Sequence, residues 1–214
     1  TFGFFKIYRI NRGPLIISSE DDLIGKCKIY KVLKNKLKLL NKGILIISPQ
    51  FSNNPTDLGA LLYSRLIKLR YNNWKTAFIK LKHDESELRK NLQQKWRNQL
   101  NKSEKSDIVI TESNDNKDFH WLMSNYNNFM KEASFQGPSV DLYKHLFNQM
   151  QSNIYIFKAY KNNEAVAGIL IIKYYDTASY QVGWTNQIGR KLYAHNILLW
   201  HSIIKMKKLG CEWF

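Results

Sequence analysis

NIYIFKAYKNNEAVAGILIIKYYDTASYQVGW, running from Asn153 to Trp184, decides the fold. Its first eight residues are mostly aromatic and β-branched, Lys161-Asn162-Asn163 is a turn signal, and Glu164–Tyr175 resumes the apolar run. Asp176-Thr177 breaks the run again before Ser179–Trp184. Three short strands joined by tight turns predict two hairpins. A helix follows from about Tyr193 to Leu209, Gly210 stops it, and CEWF (Cys211–Phe214) reads as a further apolar strand. The expected class is α/β (α+β), a mixed and mostly antiparallel sheet flanked by helices. A cleft is expected where the third strand gives way to the helix, whose first N–H groups lack intrahelical partners.

Moving toward the N-terminus, Val140–Met150 and Phe119–Met130 repeat apolar residues at three- and four-residue steps and predict two helices. Gln136-Gly137-Pro138-Ser139 separates them, with Ser139 or Asp141 as the cap. Ile108–Thr111 reads as a strand. Leu88, Leu92, Trp96 and Leu100 mark one long helix over His83–Ser106, and Lys75–Lys82 reads as a strand before it. Further back come a helix from Asp57, the strand Gly43–Ser48, and a basic amphipathic helix. Ser18-Ser19-Glu20-Asp21-Asp22 starts that helix, Leu23, Cys27, Tyr30, Leu33, Leu37 and Leu40 stripe it, and lysines fill its other faces. It reads as a core-packed helix with a solvated face or as a face for the phosphates of RNA or a membrane. Phe2–Ile17 reads as a strand, a turn at Gly13-Pro14 and a short return. The expected domains are 1–90 and 91–214. The sequence starts without Met and ends inside an apolar strand, so residues are expected beyond both ends.

The net charge of +16, from 33 Lys and Arg against 17 Asp and Glu, favours polyanionic partners. Cys27 and Cys211 have neither metal nor redox spacing, and the longest apolar run is far too short to span a bilayer. There is no GxxxxGK[ST], GxGxxG, HExxH, GxSxG or Cys/His cluster, and no carboxylate pair suggests itself as an acid/base couple. No cofactor is called for. A site without a metal or a recognisable nucleophile works by positioning and by polarising a carbonyl, and acyl transfer to an amine fits that description. His195, at the start of the last helix, is a candidate proton carrier, and Tyr174, Tyr175 and Tyr180 are candidate phenols in the sheet.

Four passages resemble the Fem family of peptidoglycan interpeptide-bridge aminoacyltransferases, whose domains have the GNAT fold. These are Arg12-Gly13-Pro14, Lys95-Trp96-Arg97 through Glu104-Lys105, the Phe135–Tyr143 loop with its helix, and Asn196–Trp200 followed by Lys208–Phe214. The resemblance implies two GNAT-like domains and transfer of an amino acid from aminoacyl-tRNA to an amine of a lipid-linked muropeptide. It also implies a cytoplasmic location at the inner face of the membrane, with peripheral contact to anionic lipid. Arg12, Tyr143, Tyr180, Arg190 and Lys191 are the expected substrate contacts. Two features depart from the family. Ser139 stands where members that bind the muropeptide diphosphate often carry Arg, and Gln187-Ile188-Gly189-Arg190 lacks the spacing of an acyl-CoA phosphate loop. The Ser139 departure favours a GNAT-type N-acyltransferase acting on an amino sugar or surface glycan from another donor. A non-catalytic RNA- or membrane-binding module is the remaining alternative.

Overall fold

The computed structural model describes residues 6–11, 22–39, 43–48, 55–67 and 76–214. The chain divides into two compact units, Thr1–Lys75 and Thr76–Phe214. The expected turn at Gly13-Pro14, the residues Ser18–Asp21 and the site candidate Arg12 lie outside the described residues.

In the first unit β1 (Lys6–Asn11), α1 (Leu23–Leu39), β2 (Gly43–Ser48) and α2 (Pro55–Tyr63) follow in order. β1 and β2 pair in parallel, Tyr8 opposite Leu45, so α1 is the crossover between them. A mostly antiparallel sheet was expected in each half, and these two strands depart from that. Asp22 starts α1, its Oδ1 accepting from Gly25 N at 2.8 Å. Tyr30 is buried at the centre of the helix stripe. Two lysines of the supposed solvated face are used internally. Lys26 is buried and paired with Asp57 at 2.6 Å, and Lys34 donates to the carbonyls of Ser64 and Arg65 at the end of α2. Among the side chains described on α1, Lys28, Lys31 and Lys36 are exposed.

The second unit continues with α3 (Glu85–Lys90), α4 (Gln94–Glu104), β3 (Val109–Ser113), α5 (Asn116–Glu132) and α6 (Val140–Met150). Then come β4 (Ile154–Lys161), β5 (Glu164–Tyr174), β6 (Thr177–Thr185), α7 (Gln187–Lys191) and α8 (Ala194–Lys208). The four strands lie in the order β3-β4-β5-β6, all antiparallel. The C-terminal segment extends this sheet: Trp213 bridges in parallel to Thr177 and antiparallel to Lys80. Ile79 and Phe214 exchange backbone hydrogen bonds at 2.8 and 2.9 Å, and Leu81 N donates to Glu212 O at 2.8 Å. The sheet is therefore mixed, as expected, and the stretch at 76–82 belongs to it although the sequence reading grouped that stretch with the first half.

β5 explains the architecture. Val166 through Ile171 are all 0% exposed or close to it. A strand that is apolar on both faces needs cover on both faces. Phe157, Ile169 and Ile171 pack in one core with α8 residues Ile197, Leu198 and Ile203. Ile156, Leu170 and Ile172 pack in the other with Phe119, Leu122, Tyr143 and Phe147 of α5 and α6. Each fully buried Ile or Leu contributes about 1.5–3 kcal/mol. The β4–β5 turn is Asn162-Asn163 with φ of 51° and 62°, the left-handed conformation that Asn tolerates. The single helix expected over His83–Ser106 is two. The chain turns at residues 91–93, Arg97 donates to Lys90 O at 2.7 Å, and Arg89 is held by Asn101 and Glu104. α3 folds back beside α4 instead of continuing it.

Candidate active site

The site forms at the far end of β6, where the chain passes through α7 into α8. The pairing of β6 with β5 slips by one residue: Ile171 faces Tyr180 while Leu170 faces Val182, leaving Gln181 as the extra residue of a bulge. A bulge re-aims side chains. Here it brings Tyr180 and Gly183, three apart in sequence, to one place. A Cβ on Gly183 would stand 2.4 Å from the Tyr180 hydroxyl, 2.3 Å from His195 Cε1 and 3.0 Å from His195 Nε2. The glycine is thus the floor on which the phenol and the imidazole meet, their rings edge to face at 5.6 Å.

The electrostatics of this pair follow from burial. His195 is half-buried in the first turn of α8, and desolvation holds its pKa below the usual 6.5, so the ring is neutral at pH 7. Tyr180 is 40% exposed overall. Its hydroxyl is nonetheless desolvated, which pushes its pKa up to about 12, with the Tyr126 phenol adding to the effect. Tyr143 is pushed to about 12 by burial and by the neighbouring phenols of Tyr126 and Tyr180. A neutral imidazole beside a phenol that keeps its proton is a base paired with an acid.

Other candidates occupy different places. Tyr143 is only 2% exposed and packs against Tyr126, ring centroids 6.2 Å apart, so it forms the wall behind the site. Tyr126 Oη donates to Pro138 O at 3.1 Å, tying α5 to the loop before α6, and Gly137 leaves room for that hydroxyl. A groove of 610 Å³ runs along this loop past Met130, Phe135 and Lys144. Ser139 caps α6, its Oγ accepting from Leu142 N at 3.2 Å. Arg190 and Lys191 are exposed in the last turn of α7, where neither side chain has a hydrogen-bond or ion-pair partner among the described residues. The N-terminus of α7 is already occupied: Asn186 Oδ1 accepts from Gly189 N at 2.8 Å. α8 begins without a side-chain cap, at Tyr193 with a φ of 54°. Tyr174, the last residue of β5, donates its hydroxyl to Ser179 Oγ at 2.7 Å, and Tyr175 lies in the turn that follows. Sequence reasoning named His195 and Tyr180 separately, but the bulge and Gly183 that join them have no signature in spacing or composition.

Among the described residues no group of three His, Cys, Asp or Glu side chains could hold a metal, and no helix is long and apolar enough to cross a membrane.

Against known proteins, a family model described as an acetyltransferase (GNAT) domain matches residues 86–214, more than half of the chain. No curated protein matches by sequence. Among solved structures the chain is similar to FemX, with a TM-score of 0.71 at 9% identity, over 96% of this chain and 70% of that one. At that identity the likeness is one of fold. An aminoglycoside acetyltransferase from an uncultured soil metagenomic sample aligns with a TM-score of 0.38 at 20% identity, over 49% of this chain and 73% of that one.

Proposed function

The chain belongs to the acetyltransferase (GNAT) domain family, and from that premise we propose that it moves an amino acid from aminoacyl-tRNA to an amine of a lipid-linked peptidoglycan precursor. The observation that carries the acyl-transfer chemistry is the meeting of His195 and Tyr180 over Gly183. Attack by an amine on an ester carbonyl forms a C–N bond, breaks a C–O bond, removes a proton from nitrogen and returns one to the leaving oxygen. Neutral His195 accepts the amine's proton. Tyr180, still protonated at pH 7, donates to the developing oxyanion and then to the leaving oxygen. Tyr143 and Tyr126 keep water from that hydroxyl. The free cations Arg190 and Lys191 contact the phosphates of the donor. The Fem-like sequence passages and the fold shared with FemX support the finer assignment of donor and acceptor.

The test uses labelled aminoacyl-tRNAs and a lipid-linked muropeptide, with and without ribonuclease. Transfer that ribonuclease abolishes is expected, and it is expected to drop in the Arg190→Ala, Lys191→Ala double variant without loss of stability. Transfer insensitive to ribonuclease removes tRNA as donor. One observation favours a second reading, N-acylation of an amino sugar or surface glycan: Ser139 is committed to capping α6 and offers no cation to a diphosphate. Turnover of amino sugars with an acyl thioester, and none with charged tRNA, would establish that reading instead.

A further inference from the structure

Tyr175 sits where its residue type gains the fold nothing. It occupies the two-residue turn between β5 and β6 with a φ of 52°, and its side chain is 93% exposed. The equivalent β4–β5 turn uses Asn at both of its left-handed positions. A bulky side chain is strained in that region, and Gly is not. The ring therefore carries a conformational cost with no burial to offset it, and such strain is a pointer to function.

Its surroundings define what it meets. Tyr174 is 41% exposed and Phe78 63% exposed. Trp213 N donates to Asp176 O, which joins the C-terminal segment to the hairpin tip, and the Phe78 ring lies 6.5 Å from the Trp213 ring. Cations border these aromatics. Lys80 Nζ stands 5.6 Å over the Trp213 ring, and Lys173 Nζ donates to Tyr175 O at 2.8 Å, holding the tip in shape. Lys207 Nζ donates to Leu81 O at 2.7 Å, and the residues next to these two along the chain, Lys82 and Lys208, are exposed. Asp176 and Glu212 are the carboxylates at this edge, so cations predominate.

We propose that this edge of the sheet, centred on Tyr175, Tyr174, Phe78 and Trp213 and bordered by lysines, docks on an anionic lipid surface. Tyrosine and tryptophan suit the headgroup layer because each has an apolar body and a polar tip. Lysine stems lie along apolar surface while their ammonium groups reach lipid phosphates. Gly183 and the passage into α7 lie toward the other end of β6 from the turn at Tyr175. The inference does not rest on the acyl-transfer reading, because binding is measured without turnover.

The experiment is co-sedimentation of the whole chain with vesicles of phosphatidylcholine alone or mixed with phosphatidylglycerol, at low and high salt. Binding is expected only to the anionic vesicles and is expected to fall with salt. Tyr175→Gly is expected to weaken binding several-fold while the thermal midpoint holds or rises, since Gly suits the turn. Lys80→Gln is expected to weaken it about fivefold, the effect of one surface cation. Two results overturn the proposal: no binding to anionic vesicles, or unchanged binding in the Tyr175→Gly, Lys80→Gln double variant.

Discussion

Replacing Gly183 with Ala tests whether His195 and Tyr180 work as a pair. The added Cβ would stand 2.3 Å from His195 Cε1 and 2.4 Å from Tyr180 Oη, about 1 Å short of ordinary contact, which starts at 3.4 Å. Both neighbours are ends of side chains and can move, so the stability cost is about 1 kcal/mol, the low end for overpacking. Each group is displaced by about 1 Å, a misplacement that costs on the order of 10²-fold in rate. Two assays read this out. NMR titration of His195 needs no substrate: the ring, pushed off its floor toward water, is expected to recover a pKa closer to 6.5 than in the parent protein. The transfer assay is expected to show the rate loss at unchanged fold content. A rate within twofold of the parent, in a variant whose His195 titration has moved, would refute the assignment of this pair to the chemistry.

Gly189→Ala is expected to do the reverse. Its Cβ would meet Val166 O and Thr185 Oγ1 at 2.4 Å, and a backbone oxygen cannot give way; chemical denaturation should show a loss of about 1–3 kcal/mol. Lys158, paired with Asp118 at 2.7 Å and lying 4.4 Å over Trp121, is nearly buried. Lys158→Ala leaves the half-buried Asp118 carboxylate with only the Ser113 hydroxyl as side-chain donor and is expected to cost about 1–3 kcal/mol, while replacing both partners with apolar residues costs less, a contrast that urea unfolding measures. Below pH 6.5 an unfolded chain protonates His195 before the folded protein does. Stability is therefore expected to fall with pH below that value, and transfer to fall as the folded ring finally protonates; His195→Asn should lessen the first effect and abolish the titration in the second.

Much of the fold was legible. The Asn162-Asn163 turn, the apolar continuity of β5 and the Gly210 stop each follow from local chemistry, and each lies where its signal stands. The break between α3 and α4 left no such signal. No Pro or Gly marks it, and it is made by long-range bonds from Arg89 and Arg97. The site was half legible. His195 and Tyr180 could be named for their chemistry, but their meeting depends on a one-residue slip in strand register, which residue types alone do not reveal. The lysines of α1 misled for a related reason: a cation's partner, as Asp57 is for Lys26, lies too far along the chain to be read from a helix stripe.

The bridge that Trp213 makes to both Lys80 and Thr177 also sets a timetable for biosynthesis. The strand-like stretch near Lys80 leaves the ribosome long before the segment that pairs with it. At typical elongation rates the interval is roughly 7–27 s. During that time the stretch near Lys80, joined at the end by the edge of the newly made β6, lacks the neighbour that will pair with it, and unpaired edges are where nascent chains associate wrongly. Chaperone occupancy on stalled nascent chains should therefore persist until Trp213 has emerged, well after both hairpins of the sheet are outside the tunnel.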